Sequence, residues 1–197
     1  MMDPRTREIV TTAFRLFQLR GYDQVSVLDI CQACQITKPT FYKYVSSKKN
    51  ILLSLFKNEE EFIYPNILAL YEGGFLTEAL FKGLTFNHSV AVSIGPLLMV
   101  NYINSLMEER IPNFSYSPKM HDLMIRIIEE LISNGQIRCE TDPENLYHIL
   151  CSVEQGLLLK WIVSHGEFSL DKEFKSVLRL ILDISESADS ETEQQLS

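Results

Sequence analysis

The fold is decided by the stretch Ser26–Lys48, SVLDICQACQITKPTFYKYVSSK. Ser26 is placed to cap a helix, and Asp29, three residues on, supplies the acidic member of a capping box. Val27, Ile30, Cys31 and Cys34 recur at i, i+3, i+4 and i+7, which is one apolar helical stripe. Gln35-Ile36 interrupts that period. Thr37 then caps a second, very short helix, and Pro39 is tolerated there because first-turn amides lack intrahelical partners. Lys38, Thr40, Tyr42, Lys43 and Tyr44 give this helix a polar and amphipathic outer face, while Phe41 and Val45 hold it on its neighbour. Such a face on the second of two short helices suits the major groove of DNA.

Upstream, Asp3-Pro4 starts a first helix whose apolar face is Ile9, Val10, Ala13, Phe14, Leu16 and Phe17, and Gly21 ends it as a left-handed cap. The three helices together make a small DNA-binding unit. Downstream, Ser46-Ser47 caps a fourth helix from Lys48, with Ile51, Leu52, Leu55, Phe56, Phe62 and Ile63 in helical period. Pro65 is predicted to end or kink it.

The whole chain carries a net charge of −8. Residues 1–57 hold nine Lys/Arg against four Asp/Glu, a net +5, whereas residues 58–197 hold nine against twenty-two, a net −13. A basic head on an acidic body points to nucleic acid at the head. The split predicts a DNA-binding domain over 1–57, a second domain over 58–185, for which the resemblance given below implies effector binding and dimerisation, and a disordered acidic tail over 186–197. No run of eighteen apolar residues crosses a membrane and no apolar leader opens the chain, so the expected location is the cytoplasm.

Gly73-Gly74, Gly95-Pro96, Asn134-Gly135 and Gly166 punctuate the remainder. Between them the periodicity predicts helices of roughly Leu76–Ser93, Leu97–Glu109, Lys119–Ser133, Asp142 to His165, and Asp171 to Ser185. Pro112 and Pro118 bracket a loop holding Phe114 and Tyr116. The expected class is all-α, with about nine helices.

The sequence carries no Gly-rich phosphate loop, no nucleophile–base spacing and no zinc-protease motif, so no enzyme, cofactor or metal site is expected. Cys31-x-x-Cys34 and the His148/Cys151 pair each lack the further ligands that a zinc site needs. Cys31 and Cys34 also sit on the buried stripe, as small apolar residues do.

The Ser26–Ile51 run resembles the helix-turn-helix of the TetR family of transcriptional regulators, whose pattern is roughly T-V-x-x-I-A-x-x-A-G-V-S-x-G-T-L-Y-x-Y-F-x-S-K-E-x-L. Ser26, Val27, Ile30, Ile36, Thr37, Thr40, Phe41, Tyr42, Tyr44, Val45, Ser47, Lys48 and Ile51 match it or replace it conservatively. Cys31 and Cys34 stand in place of alanines, Gln35 in place of the turn glycine, and Pro39 in place of the recognition-helix glycine. The resemblance implies that Ser26, Thr37, Lys38, Pro39, Thr40, Tyr42, Lys43, Tyr44 and Lys48 contact a double-stranded DNA operator, with Lys48 on a phosphate. It implies a homodimer through the last two long helices, where Val153, Gly156, Leu157, Trp161, Phe174, Val177, Leu178 and Ile181 are the candidate contacts. It also implies a small apolar effector in the middle helices, near Phe62, Phe86, His88, Met99, Tyr102, Ile103, Met107, Met120, Met124 and Tyr147. The expected function is a repressor released from a palindromic operator by that effector. The alternative is an activator or co-regulator controlled by a protein partner.

Overall fold

The computed structural model describes residues 3–109 and 117–182, except the side chains of 55–61. Phe114, Tyr116 and the acidic tail over 186–197 lie outside the described residues. Among those described there are nine α-helices and no strand. They are α1 (Pro4–Arg20), α2 (Val27–Ala33), α3 (Lys38–Tyr44), α4 (Lys48–Glu72), α5 (Leu76–Ile94), α6 (Pro96–Glu108), α7 (Pro118–Ser133), α8 (Pro143–Val163) and α9 (Leu170–Leu182). The chain divides into two compact units, Met1–Glu59 with Val90–Ser115, and Glu60–Ser89 with Tyr116–Ser197.

In the first unit, α1 buries Ile9, Ala13, Leu16 and Phe17, and α2 buries Ile30 and Cys31. Phe41 is the buried anchor of α3. Gly21 follows α1 at φ 85 and ψ 146, a region open to glycine but outside the left-handed helical well predicted for it. The sharper departure is Gln35, at φ 54 in the turn between α2 and α3. A side chain there crowds the backbone, at a cost of roughly 1–2 kcal/mol. The segment from Val90 belongs to this unit as well: Gln18 Nε2 donates to the Ser93 carbonyl at 3.0 Å, and Lys49 Nζ lies 2.6 Å from Glu108 and 3.1 Å from Glu109.

The second unit is built on α7, whose Met120, Leu123, Met124, Ile127, Ile128 and Leu131 form one buried stripe. Leu170, Phe174, Leu178 and Leu182 do the same on α9, one per turn. Leu146, Tyr147, Leu150, Leu76, Leu80 and Leu84 complete the core. Pro65 does not end α4, which runs on to Glu72. Proline costs a helix about 3 kcal/mol or more, but Ile67 is fully buried, and Ile63, Tyr64 and Leu68 pack on the same core. Burial of several large side chains, each contributing about 1.5–3 kcal/mol, outweighs the lost hydrogen bond.

Candidate nucleic-acid interface

Two caps set the register of the helix pair. Ser26 Oγ accepts from the Asp29 amide at 3.2 Å, and Asp29 Oδ2 accepts from the Ser26 amide at 2.8 Å, a reciprocal capping box. Thr37 Oγ1 accepts from the Thr40 amide at 3.3 Å and sits 2.9 Å from Thr40 Oγ1. The Ser26 partners hold the Asp29 carboxyl below its ordinary range, first through the Ser26 hydroxyl and then through its amide.

With Phe41 fully buried against α2 and Val45 buried beside it, the helix turns its other face outward. Thr37, Lys38, Pro39, Tyr42 and Lys43 are exposed, while Thr40 and Tyr44 are half-buried. Tyr42 is 54% exposed, with its ring edge-on to Phe41 at 5.3 Å between centroids. An exposed phenol beside exposed lysines is a surface for phosphates and base edges, since tyrosine and lysine donors position the backbone and lysine reaches guanine acceptors. Lys43 Nζ lies 5.6 Å from the centre of the Tyr44 ring.

Lys48 is placed differently. Its Nζ donates to the carbonyls of Tyr22 at 2.8 Å and Val25 at 2.9 Å, and sits 3.9 Å from the centroid of the Tyr22 ring. Burial pulls this ammonium below the ordinary lysine range, with Asp23 opposing the shift. Ser26 is exposed, but its hydroxyl is committed to Asp29.

The expected effector residues fall in both units. In the first unit Met99 and Tyr102 are buried, Ile103 is half-buried, and Met107 is 69% exposed. Burial raises the Tyr102 phenol to about 12. In the second unit Phe62 is 69% exposed, whereas Met120, Met124 and Tyr147 belong to the packed core. Phe86 is buried at the edge of accessibility. His88 is buried with both ring nitrogens taken: Nδ1 is 2.7 Å from Asp171 and Nε2 is 3.1 Å from Glu154. That cluster was missed, although Glu154 was a signal, a carboxylate on the apolar stripe between Leu150 and Leu158. An open depression of about 490 Å³ along α8 is lined instead by Thr141, Asn145, His148, Ile149, Ser152 and Val153.

The expected dimer residues separate by exposure. Trp161, Phe174 and Leu178 are buried inside their own unit and present no free surface. Gly156 and Ile181 are exposed, and Val153, Leu157 and Val177 are half-buried. Ile149, Leu159 and Val163 extend the outward apolar side of α8.

The helix pair, its caps and its outward face coincide with a sequence match. Residues 9–55 match the family described as bacterial regulatory proteins, tetR family. The N-terminal helix-turn-helix is of the TetR type. The chain is 34% identical over 73 residues to the HTH-type transcriptional regulator YuxN of Bacillus subtilis (strain 168), a match covering 37% of this chain and 25% of that one. In such local matches the chain spans about a quarter of its relative's length. Over 194 residues it is 22% identical to the fatty acid metabolism regulator protein of the same organism, covering 91% and 94% of the two chains. Its fold is also that of Thermus thermophilus FadR, a repressor solved with lauroyl-CoA, at 21% identity and a TM-score of 0.59 over 90% of this chain and 93% of that one. TetR-family proteins are DNA-binding transcriptional regulators, not enzymes.

Proposed function

We propose that this chain is a TetR-family regulator, a homodimeric repressor that leaves a palindromic operator when a small apolar effector binds. The observation that carries the DNA half is the outward face of α3: a side-chain-capped helix, anchored by buried Phe41, that displays Lys38, Pro39, Tyr42 and Lys43. Lys38 and Pro39 are suited to base edges, Lys43 and Tyr42 to phosphates. Two such helices related by a two-fold axis read half-sites about one helical turn apart. The outward apolar residues of α8 and α9, with exposed Gly156 between them, support the dimer.

Support for the effector half is of two kinds. The regulator of fatty acid metabolism aligns in sequence over nearly the full length, and the lauroyl-CoA-bound repressor shares the fold over 90% of this chain. In the second unit, the amide oxygen of Asn87 is buried without a hydrogen-bond partner, and a ligand donor would satisfy it. An effector acts by binding the released arrangement more tightly than the DNA-bound one. The test is titration of duplex DNA with wild-type protein, Tyr42→Ala and Lys43→Ala, followed by competition with long-chain acyl thioesters. The reading predicts that both substitutions weaken binding and that an acyl thioester releases the wild type. Unchanged affinity in both variants would remove α3 from the interface, and binding insensitive to acyl chains would remove this effector class.

A further inference from the structure

We propose that Asn87 selects the effector: its side-chain oxygen accepts a hydrogen bond from a hydroxyl on an otherwise apolar acyl chain, so hydroxylated chains bind more tightly than plain ones. Residues 83–88 of α5, in the second unit, are buried without a break. A polar side chain in such a run depends on a protein partner or on a ligand. Two neighbours of Asn87 have protein partners. Thr85 Oγ1 donates to the Phe81 carbonyl at 2.9 Å, and His88 has a carboxylate at each ring nitrogen. Asn87 differs. It is 5% exposed, and its Oδ1 is buried with no hydrogen-bond partner among the described residues.

The surroundings fit an apolar chain with a single polar mark. Gly83 stands one turn before Asn87 on the same face of α5, and a Cβ at Gly83 would coincide with the Met124 thioether. The space beside that face is therefore filled by a side chain with three rotatable bonds, one able to swing aside for a ligand chain. Leu80, Leu84, Met120 and Leu123 are buried in the same core and offer no donor to an amide oxygen. A plain hydrocarbon entering here leaves Oδ1 unpaired, whereas a hydroxyl satisfies it. The thioester group is an acceptor only, so the donor is borne by the chain. A site built to bond a hydroxyl rejects the analogue that lacks it far more strongly than an apolar site rejects a change of one methylene.

This inference rests on the reading that an acyl thioester is the effector, and its test separates the two. Lauroyl-CoA, β-hydroxylauroyl-CoA and ω-hydroxylauroyl-CoA are titrated by calorimetry into the wild type, Asn87→Leu and Asn87→Ala. The wild type should bind at least one hydroxylated thioester roughly ten- to hundredfold more tightly than lauroyl-CoA, the effect of one hydrogen bond to a group otherwise buried and unpaired. Both variants should lose that preference, and Asn87→Leu should bind lauroyl-CoA at least as tightly as the wild type does. Where Asn87→Leu is overpacked and fails to fold, the smaller Asn87→Ala carries the test through its ratio of affinities for hydroxylated and plain chains. A preference that survives in Asn87→Ala would overturn the proposal. Equal wild-type affinity for plain and hydroxylated chains would overturn it too, while leaving the acyl-effector reading in place. Failure of all three thioesters to bind the wild type would instead strike that reading, and this proposal with it.

Discussion

Glu154 and His88, 66 residues apart in sequence, meet in the interior of the second unit with 3.1 Å between carboxylate oxygen and Nε2. They are 3% and 1% exposed, and Asp171 takes the other ring nitrogen at 2.7 Å. Each ring nitrogen faces its own carboxylate. The cluster thus ties α5, α8 and α9 through one imidazole. His88→Leu leaves Glu154 buried without its partner and should cost about 3–5 kcal/mol in urea unfolding. The double variant His88→Leu/Glu154→Leu should recover much of that loss. A loss under about 1 kcal/mol in the single variant would mean that Glu154 reaches water when His88 is gone.

Gln35 occupies a left-handed conformation at φ 54 that glycine adopts without crowding. Gln35→Gly should stabilise the first unit by about 1 kcal/mol, the balance between relieved crowding and a freer unfolded chain. Thermal unfolding reads the difference. A lower midpoint would show that the Gln35 side chain makes a compensating contact.

Acid should loosen the helix caps. Asp142 Oδ1 accepts from the Asn145 amide at 3.0 Å at the start of α8, and this bond holds its carboxyl below the ordinary value of 3.8. Asp29 is lowered likewise by Ser26. A group whose folded value is depressed stabilises the protein above its unfolded value and loses that contribution as pH falls through the folded one. Stability should therefore drop from about pH 4 downward, and less steeply in Asp142→Asn. Identical acid limbs for the two proteins would remove the cap from the account.

The proposed dimer face is separable from the core. A Cβ on Gly156 meets nothing within 4 Å, so Gly156→Arg should fold as the wild type does yet sediment as a monomer. Trp161→Ala should instead destabilise the second unit by about 3–5 kcal/mol through lost core packing. A Gly156→Arg dimer of undiminished affinity would place the interface on another face.

What was legible in the sequence was local. The Ser26–Asp29 box, the Thr37 cap and the Asp142-Pro143 start depend on residues three or four apart, and the helices begin where those residues stand. The stripes on α7 and α9 were legible for the same reason. Pro65 lies inside α4 because proline's local cost, visible in sequence, is outweighed by the burial of Ile67, which is not. Trp161, Phe174 and Leu178 read correctly as apolar, but periodicity does not say whether a stripe meets its own chain or a second copy. Lys48 and His88 were harder still. Their partners lie 23 to 83 residues away, so only the folded chain shows which donors are already taken.

Selection of bound duplexes from a random-sequence pool tests the central claim most directly. A dimer reading DNA through α3 should enrich a palindrome with half-site centres roughly 10–10.5 base pairs apart, or a multiple of that. Lys38→Ala should then alter the preferred bases within each half-site. A pool that ends unenriched, or that converges on one asymmetric site indifferent to Lys38, would contradict it.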